Sequence, residues 1–182
     1  MLKIIPLALC IALIGCATNQ LHFASYTGDV ELVAIKSTNS SVDVLRVSGV
    51  DTCDVCNENS KIVWHAANAN DGLYEGFSAI PVKDWGAFVQ EALGSSQEAQ
   101  TKAEIVINRI FLKTWNSPEY YACQVELTVL KGGSKLEGKG VVKIHGSGQK
   151  LLRKNLAFLD PEALEAIRLA LKAAYLDAAA MP

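Results

Sequence analysis

The sequence predicts an α+β domain: a mostly antiparallel sheet of four or five strands with two helices packed on one face. Three observations predict it. Tyr121–Leu130 alternates apolar and polar side chains with the period of two that a half-buried strand requires. Gly132-Gly133 follows directly and reads as the turn of a hairpin. Pro81–Gly94 and the segment after Asp160-Pro161 instead space their apolar residues as helices do. One apolar sheet side and two apolar helix stripes are complementary, which requires two layers.

The chain has 182 residues, 50% apolar and 20% charged, with a formal net charge of −2. That length suits one self-sufficient core. The near-balanced charge excludes a basic nucleic-acid binder, and the apolar content excludes a disordered chain. No internal repeat or low-complexity segment interrupts it.

The first residues read as an address. Lys3 precedes an apolar run from Ile4 to Ile14. As a helix, eleven residues cover only roughly 16 Å, short of the ~30 Å hydrocarbon layer of a bilayer, so a secretory signal fits better than a membrane span. Leu13-Ile14-Gly15-Cys16 has the form of a bacterial lipobox. On that reading Cys16 takes diacylglycerol as a thioether, small Gly15 admits the peptidase, and the new amino terminus is acylated. At ~0.8 kcal/mol per buried methylene, three acyl chains contribute on the order of 30 kcal/mol and make attachment permanent. The alternative is an ordinary signal peptide with an incidental cysteine. Residue 17 is Ala rather than Asp, and resemblance to enterobacterial sorting then implies the outer membrane, facing the periplasm, rather than the inner membrane. The predicted organisation is therefore a signal over 1–15, a lipidated Cys16 and tether over 16–29, and one domain over 30–182. Removing residues 1–15 leaves 167 residues, with 16 basic against 19 acidic side chains.

Of five cysteines, Cys10 leaves with the signal and Cys16 carries lipid. The oxidising periplasm permits a disulfide between Cys53 and Cys56. A redox centre there needs a following helix whose N-terminus faces the first thiol. A zinc site needs four ligands, and only His65, Asp51 and Asp54 lie close in sequence. A local structural disulfide or two unpaired surface thiols are the plainer readings. Cys123 lies on the apolar side of its strand and reads as a buried free thiol.

The remaining elements follow in order. Val30–Lys36 and Val42–Val50 read as strands around Ser-Thr-Asn-Ser-Ser. Residues 51–80 are the least regular region, with a short strand over Lys61–Ala66 and a turn-rich stretch ending at Gly76. Pro81 suits a first helical position and Gly94 a stop, with Val82, Trp85, Val89, Ala92 and Leu93 on one side. Ala103–Trp115 is a long strand, and Asn116-Ser-Pro118 turns it into the alternating Tyr121–Leu130. Lys135–His145 returns with Val142 and Ile144 inward and Lys139, Lys143 and His145 outward. Leu151–Leu159 has no definite pattern. Asp160 then caps a helix running to about Ala180, with Leu164, Ile167, Leu171, Ala174, Tyr175 and Ala178 on its apolar side.

No nucleophile motif, phosphate loop or His-Glu-x-x-His occurs, so no catalytic residue, metal or cofactor is predicted. His22 sits in the tether, and His65 and His145 read as isolated, partly exposed residues. Gly146-Ser-Gly148 is too short to cradle phosphate, and Asp51, Asp54 and Glu58 read as solvated loop charges. One asymmetry stands out. From Lys131 to Lys154, seven basic residues (131, 135, 139, 143, 150, 153, 154) face Glu137 alone. Either this basic rim meets anionic headgroups, lipopolysaccharide phosphates or an acidic partner, or its lysines only protect a sheet edge.

The lipobox, the helix Pro-Val-Lys-Asp-Trp-Gly-Ala-Phe-Val-Gln-Glu-Ala-Leu-Gly, the strand Ala-Glu-Ile-Val-Ile-Asn-Arg-Ile and the order of elements over about 30–180 together carry a resemblance. The chain is similar to small Gram-negative lipoproteins of the YajG type. Lipopolysaccharide-assembly lipoproteins and auxiliary lipoproteins of lipid transporters look alike at this level. The resemblance implies a non-enzymatic α+β sandwich and transfers no site residue. The expected function is that of a membrane-anchored interaction component of envelope assembly or transport with an envelope protein partner. Its binding surface would be the hairpin around Lys139, Lys143 and His145 together with residues 51–80. The alternatives are a thiol–disulfide protein using Cys53 and Cys56, and a carrier holding a small lipid between sheet and helices.

Overall fold

A computed structural model describes residues 27–67, 75–116, 119–146 and 161–181. The signal, Cys16, His22, the 151–159 segment, the Asp160 cap, and Lys150, Arg153 and Lys154 lie outside them. The described elements are α1 (Asp29–Ser37), β1 (Val42–Ser48), β2 (Ile62–Ala67), β3 (Glu75–Ser78), α2 (Trp85–Leu93), β4 (Thr101–Asn116), β5 (Glu119–Lys131), β6 (Ser134–His145) and α3 (Pro161–Ala179). The class is α+β as expected, with a mostly antiparallel sheet. The counts differ: the sheet has six strands rather than four or five, and there are three helices rather than two.

The central strand is β4. Its antiparallel neighbour β5 leads through the Gly132-Gly133 turn to β6, as the alternation predicts. Along its other side lie two strands end to end. β1 runs parallel to it from Thr101 to Val106, and β2 runs parallel from Ile110 to Trp115. The short β3 pairs antiparallel with β2 and begins at the end of the turn-rich stretch expected to finish at Gly76. Residues 49–61 leave and re-enter this lane where β4 itself bulges, between Ile107 and Arg109. Gly49, with φ +74°, makes the exit possible. A methyl group there would strike the Ile107 carbonyl and lie 2.7 Å from the Lys61 ammonium. The Ile110 N–H donating to the Lys61 carbonyl at 2.8 Å reopens the lane.

Val30–Lys36 is part of helix α1, not a strand. Asp29 and Glu31 sit in its first turn and Lys36 in its last, which favours the helix dipole. Leu32 and Ile35, three apart, turn one side inward, while Val33 is 70% exposed. The Thr38 and Ser37 hydroxyls donate to the Ala34 carbonyl and end it. α2 begins at Trp85 rather than Pro81, because the Asp84 carboxylate accepts the Ala87 N–H at 2.9 Å and fixes the cap there. Gly94, in the left-handed region, stops it as expected.

The core lies between the sheet and the helices. Ile105, Ile107, Ile110, Leu112, Tyr121, Cys123, Val125, Leu127 and Val142 face Trp85, Val89, Leu93, Ile167, Leu171 and Tyr175. α3 is seated on β6 and β5, and α2 on β1 and α3. Arg168 of α3 lies 5.0 Å over the Phe88 ring and pairs with Glu91 of α2 at 3.2 Å. Seating on β6 is at backbone contact. A methyl on Gly140 would strike the Ala170 carbonyl and come within 2.9 Å of the Ala173 Cβ, and one on Gly138 would strike the Ala174 carbonyl. Between α3 and β6 there is no room for an acyl chain.

Two sheet edges are partly covered by hydrogen bonds. On β1, the Val44 N–H donates to the Ser95 hydroxyl, Gln90 donates to the Val44 carbonyl, and the Ser96 N–H donates to the Val42 carbonyl. On β6, the Lys139 N–H donates to the Asp177 carboxylate and the Thr27 N–H to the Val141 carbonyl, both near 2.9 Å.

The glycine seat makes a direct prediction. Gly140→Ala must push α3 off the strand and lower the unfolding free energy by about 2 kcal/mol or more. Urea titration should show a lower midpoint at unchanged slope; an unchanged midpoint would contradict the backbone contact.

Candidate functional site

With α2 and α3 on one face, the other face of the sheet carries no described helix. Strand alternation sends Lys135, Glu137, Lys139, Val141, Lys143 and His145 of β6 to it, so the outward placement of Lys139, Lys143 and His145 agrees with the sequence reading. Lys139 and His145 are exposed, while Lys143 is half-buried with its ammonium 4.6 Å over the Tyr120 ring.

Register brings further residues beside them. Arg109, Glu126 and Lys139 form one row across β4, β5 and β6, with Lys139 and Glu126 paired at 3.5 Å. Phe77, His65, Lys113, Ala122 and Lys143 form a second row across five strands. His65 is fully buried, contrary to the partly exposed residue expected, because its ring stacks on Phe77 at 4.6 Å and tilts against Phe111. Lys113 is also buried, directly opposite His65. Arg109 holds its guanidinium 5.5 Å over Phe111 and donates to the Glu58 carbonyl at 2.9 Å, tying the sheet face to the 51–60 loop. Sequence reasoning missed Arg109 and Lys113. Their signal is a change of phase: inward residues are odd-numbered to Ile107 and even-numbered from Ile110, with polar Asn108-Arg109 between.

Cys53 and Cys56 form a disulfide, with Cα atoms 5.2 Å apart. The Cys53 sulfur lies 3.6 Å from the Ile62 carbonyl oxygen, so the disulfide packs beside the start of β2. β2, not a helix, follows the pair, and the helix N-terminus that lowers the pKa of a redox thiol is missing from 49–61. Asp51, Asp54 and Glu58 are exposed, and Val55 at the loop tip is 88% exposed. His65 points into the aromatic cluster, and among the described residues no three His, Cys, Asp or Glu side chains gather as a metal would need. Cys123 is free and fully buried in the helix-side core, where burial pushes its thiol far above the ordinary range.

The side that carries no described helix therefore presents charged residues of both signs beside an aromatic cluster. Comparison with models of protein families, with curated proteins and with solved structures finds no match to this chain.

Alkylation tests the thiol assignment. With no reductant, Cys123 should stay unlabelled near pH 8 while the chain is folded and become labelled on unfolding; Cys53 and Cys56 should stay unlabelled in both. Replacing both loop cysteines with alanine should cost about 2 kcal/mol, the entropy of so short a closed loop.

Proposed function

We propose that this protein is a membrane-anchored periplasmic lipoprotein acting as a non-enzymatic interaction or accessory component of cell-envelope assembly or transport. The observation that carries the reading is the charged, helix-free sheet face bordered by β6, the strand beside which the N-terminal chain joins the domain at Thr27. The sequence supplies the anchor: acylated Cys16, held by Ala17 sorting at the outer membrane and facing the periplasm. Eleven Cα–Cα steps lead from Cys16 to Thr27, so the face stays within about 37 Å of chain length of its lipid. The partner is an envelope protein that meets Lys139, Lys143 and His145.

The similarity to YajG-type lipoproteins supports the same reading through the lipobox and the order of elements. A second reading, thiol–disulfide exchange at Cys53 and Cys56, has the bond itself in its favour. It requires insulin-reducing activity that Cys53→Ala abolishes.

Photocrosslinkers at Lys139 and His145 should capture one envelope protein in cells, whereas crosslinkers at Lys36 and Lys83 on the helical side should not. Lys139→Glu with His145→Glu should lower capture at least tenfold while leaving the unfolding midpoint in place; unchanged capture would sink the reading. Cys16→Ala should remove the fatty acid from the mature chain, seen by intact mass.

A further inference from the structure

Beyond the surface near Lys139, the turn end of the hairpin makes a different place on the same face. The bulge in β1 lifts Leu45 out of register, and the β5–β6 turn lies beside the start of β4. Between them is an open groove of about 510 Å3, the size of a small-molecule site. Its apolar lining includes Leu45, 58% exposed, and Leu130, 36% exposed. Among the described residues only five large apolar side chains are this exposed, and two meet here. Lys102, Lys131 and Lys135 line the rim, and Glu104 is the one acid among the lining residues. Lys135 pairs with Glu137 at 2.9 Å, whereas Lys102 and Lys131 form no ion pair among the described residues. A methyl built on Gly132 or Gly133 meets nothing within 4 Å, so the turn stands clear.

We propose that this groove docks on an anionic phospholipid bilayer, with Lys102, Lys131 and Lys135 on lipid phosphates and Leu45 and Leu130 against the glycerol and upper acyl region.

Two features choose that occupant. The rim is cationic over an apolar floor, complementary to a headgroup that is anionic above and apolar beneath. The chain outside the described residues also reaches far enough. Seven residue steps along β6 separate Val141, where Thr27 is bonded, from Ser134, a distance of roughly 24 Å. The eleven-residue stretch back to Cys16 extends to about 37 Å, so an anchored chain can bring the turn down to the bilayer. This orientation rests on the anchored reading. The groove's preference for anionic lipid does not.

Lysine footprinting tests the groove. The mature chain is coupled through the Cys16 thiol to maleimide-bearing vesicles, either of phosphatidylcholine alone or with 30 mol% phosphatidylglycerol. Coupling then stands in for acylation whether or not cells acylate Cys16, and failure of the anchor would appear separately as no fatty acid on the native protein. On phosphatidylglycerol, acetylation of Lys102, Lys131 and Lys135 should slow several-fold, and 0.5 M salt should restore it. Lys36 and Lys83 should be unaffected. Lys102→Gln with Lys131→Gln should lose most of the protection at Lys135, since each lysine near such a surface contributes about fivefold in affinity. Equal rates on both vesicles would overturn the proposal, as would equal slowing at Lys36 and Lys83. Protection that appears only with envelope protein extract would assign the groove to a protein and overturn it as well.

Discussion

The seat of α3 on β6 is the contact on which the rest of the structure depends. Gly138 and Gly140 alternate on one side of the strand and remove every side chain that would hold a helix away, and Ala170, Ala173, Ala174 and Ala178 do the same from the helix. Helix and strand therefore meet backbone to backbone. That proximity brings Asp177 to the Lys139 N–H, so the contact that packs the core also closes the strand edge. It commits the long helix to one face, and the opposite face carries no helix among the described residues.

Much of this was legible in the sequence where periodicity is local. The alternation of Tyr121–Leu130, the diglycine turn and the outward residues of β6 are intrinsic to neighbouring positions, and the structure has them as expected. Val30–Lys36 was not legible in that way. Val-Glu-Leu-Val-Ala-Ile-Lys is rich in strand formers, and its helical character rests on end charges and on an inward pair, Leu32 and Ile35, that needs α3 as a partner. Sheet pairings distant in sequence were hidden altogether. Nothing near Val42 signals a parallel match to Thr101, and nothing near Ile62 signals that it continues the same lane.

The candidate site divides on the same line. Lys139, Lys143 and His145 could be placed from β6 alone. Arg109 and Lys113 join them only because β4 bulges at Asn108, which turns Arg109 from the core side to the open face. The phase change is visible in the sequence, but its consequence depends on which strands lie alongside. His65 shows the converse. An isolated histidine reads as a surface residue, yet β3 brings Phe77 over its ring and buries it.

Closure of the edges constrains how any partner is recognised. Val42 and Val44 of β1 and Lys139 and Val141 of β6 have outward backbone groups bonded to Ser95, Gln90, Ser96, Asp177 and Thr27, and β3 is only four residues long. An added strand finds little to pair with. On the interaction reading, recognition would fall to side chains on the face that carries no described helix, where charges are spread and exposed apolar residues are few among the described residues. Such a surface binds weakly on its own, because exposed charges are screened and contribute little each. A short tether changes that balance. On the anchored reading, a chain of about eleven residues would hold the domain at millimolar effective concentration over whatever shares its membrane, and weak contacts would then suffice. On the anchored reading, the absence of a large apolar patch among the described residues is what the physics of a tethered domain leads one to expect.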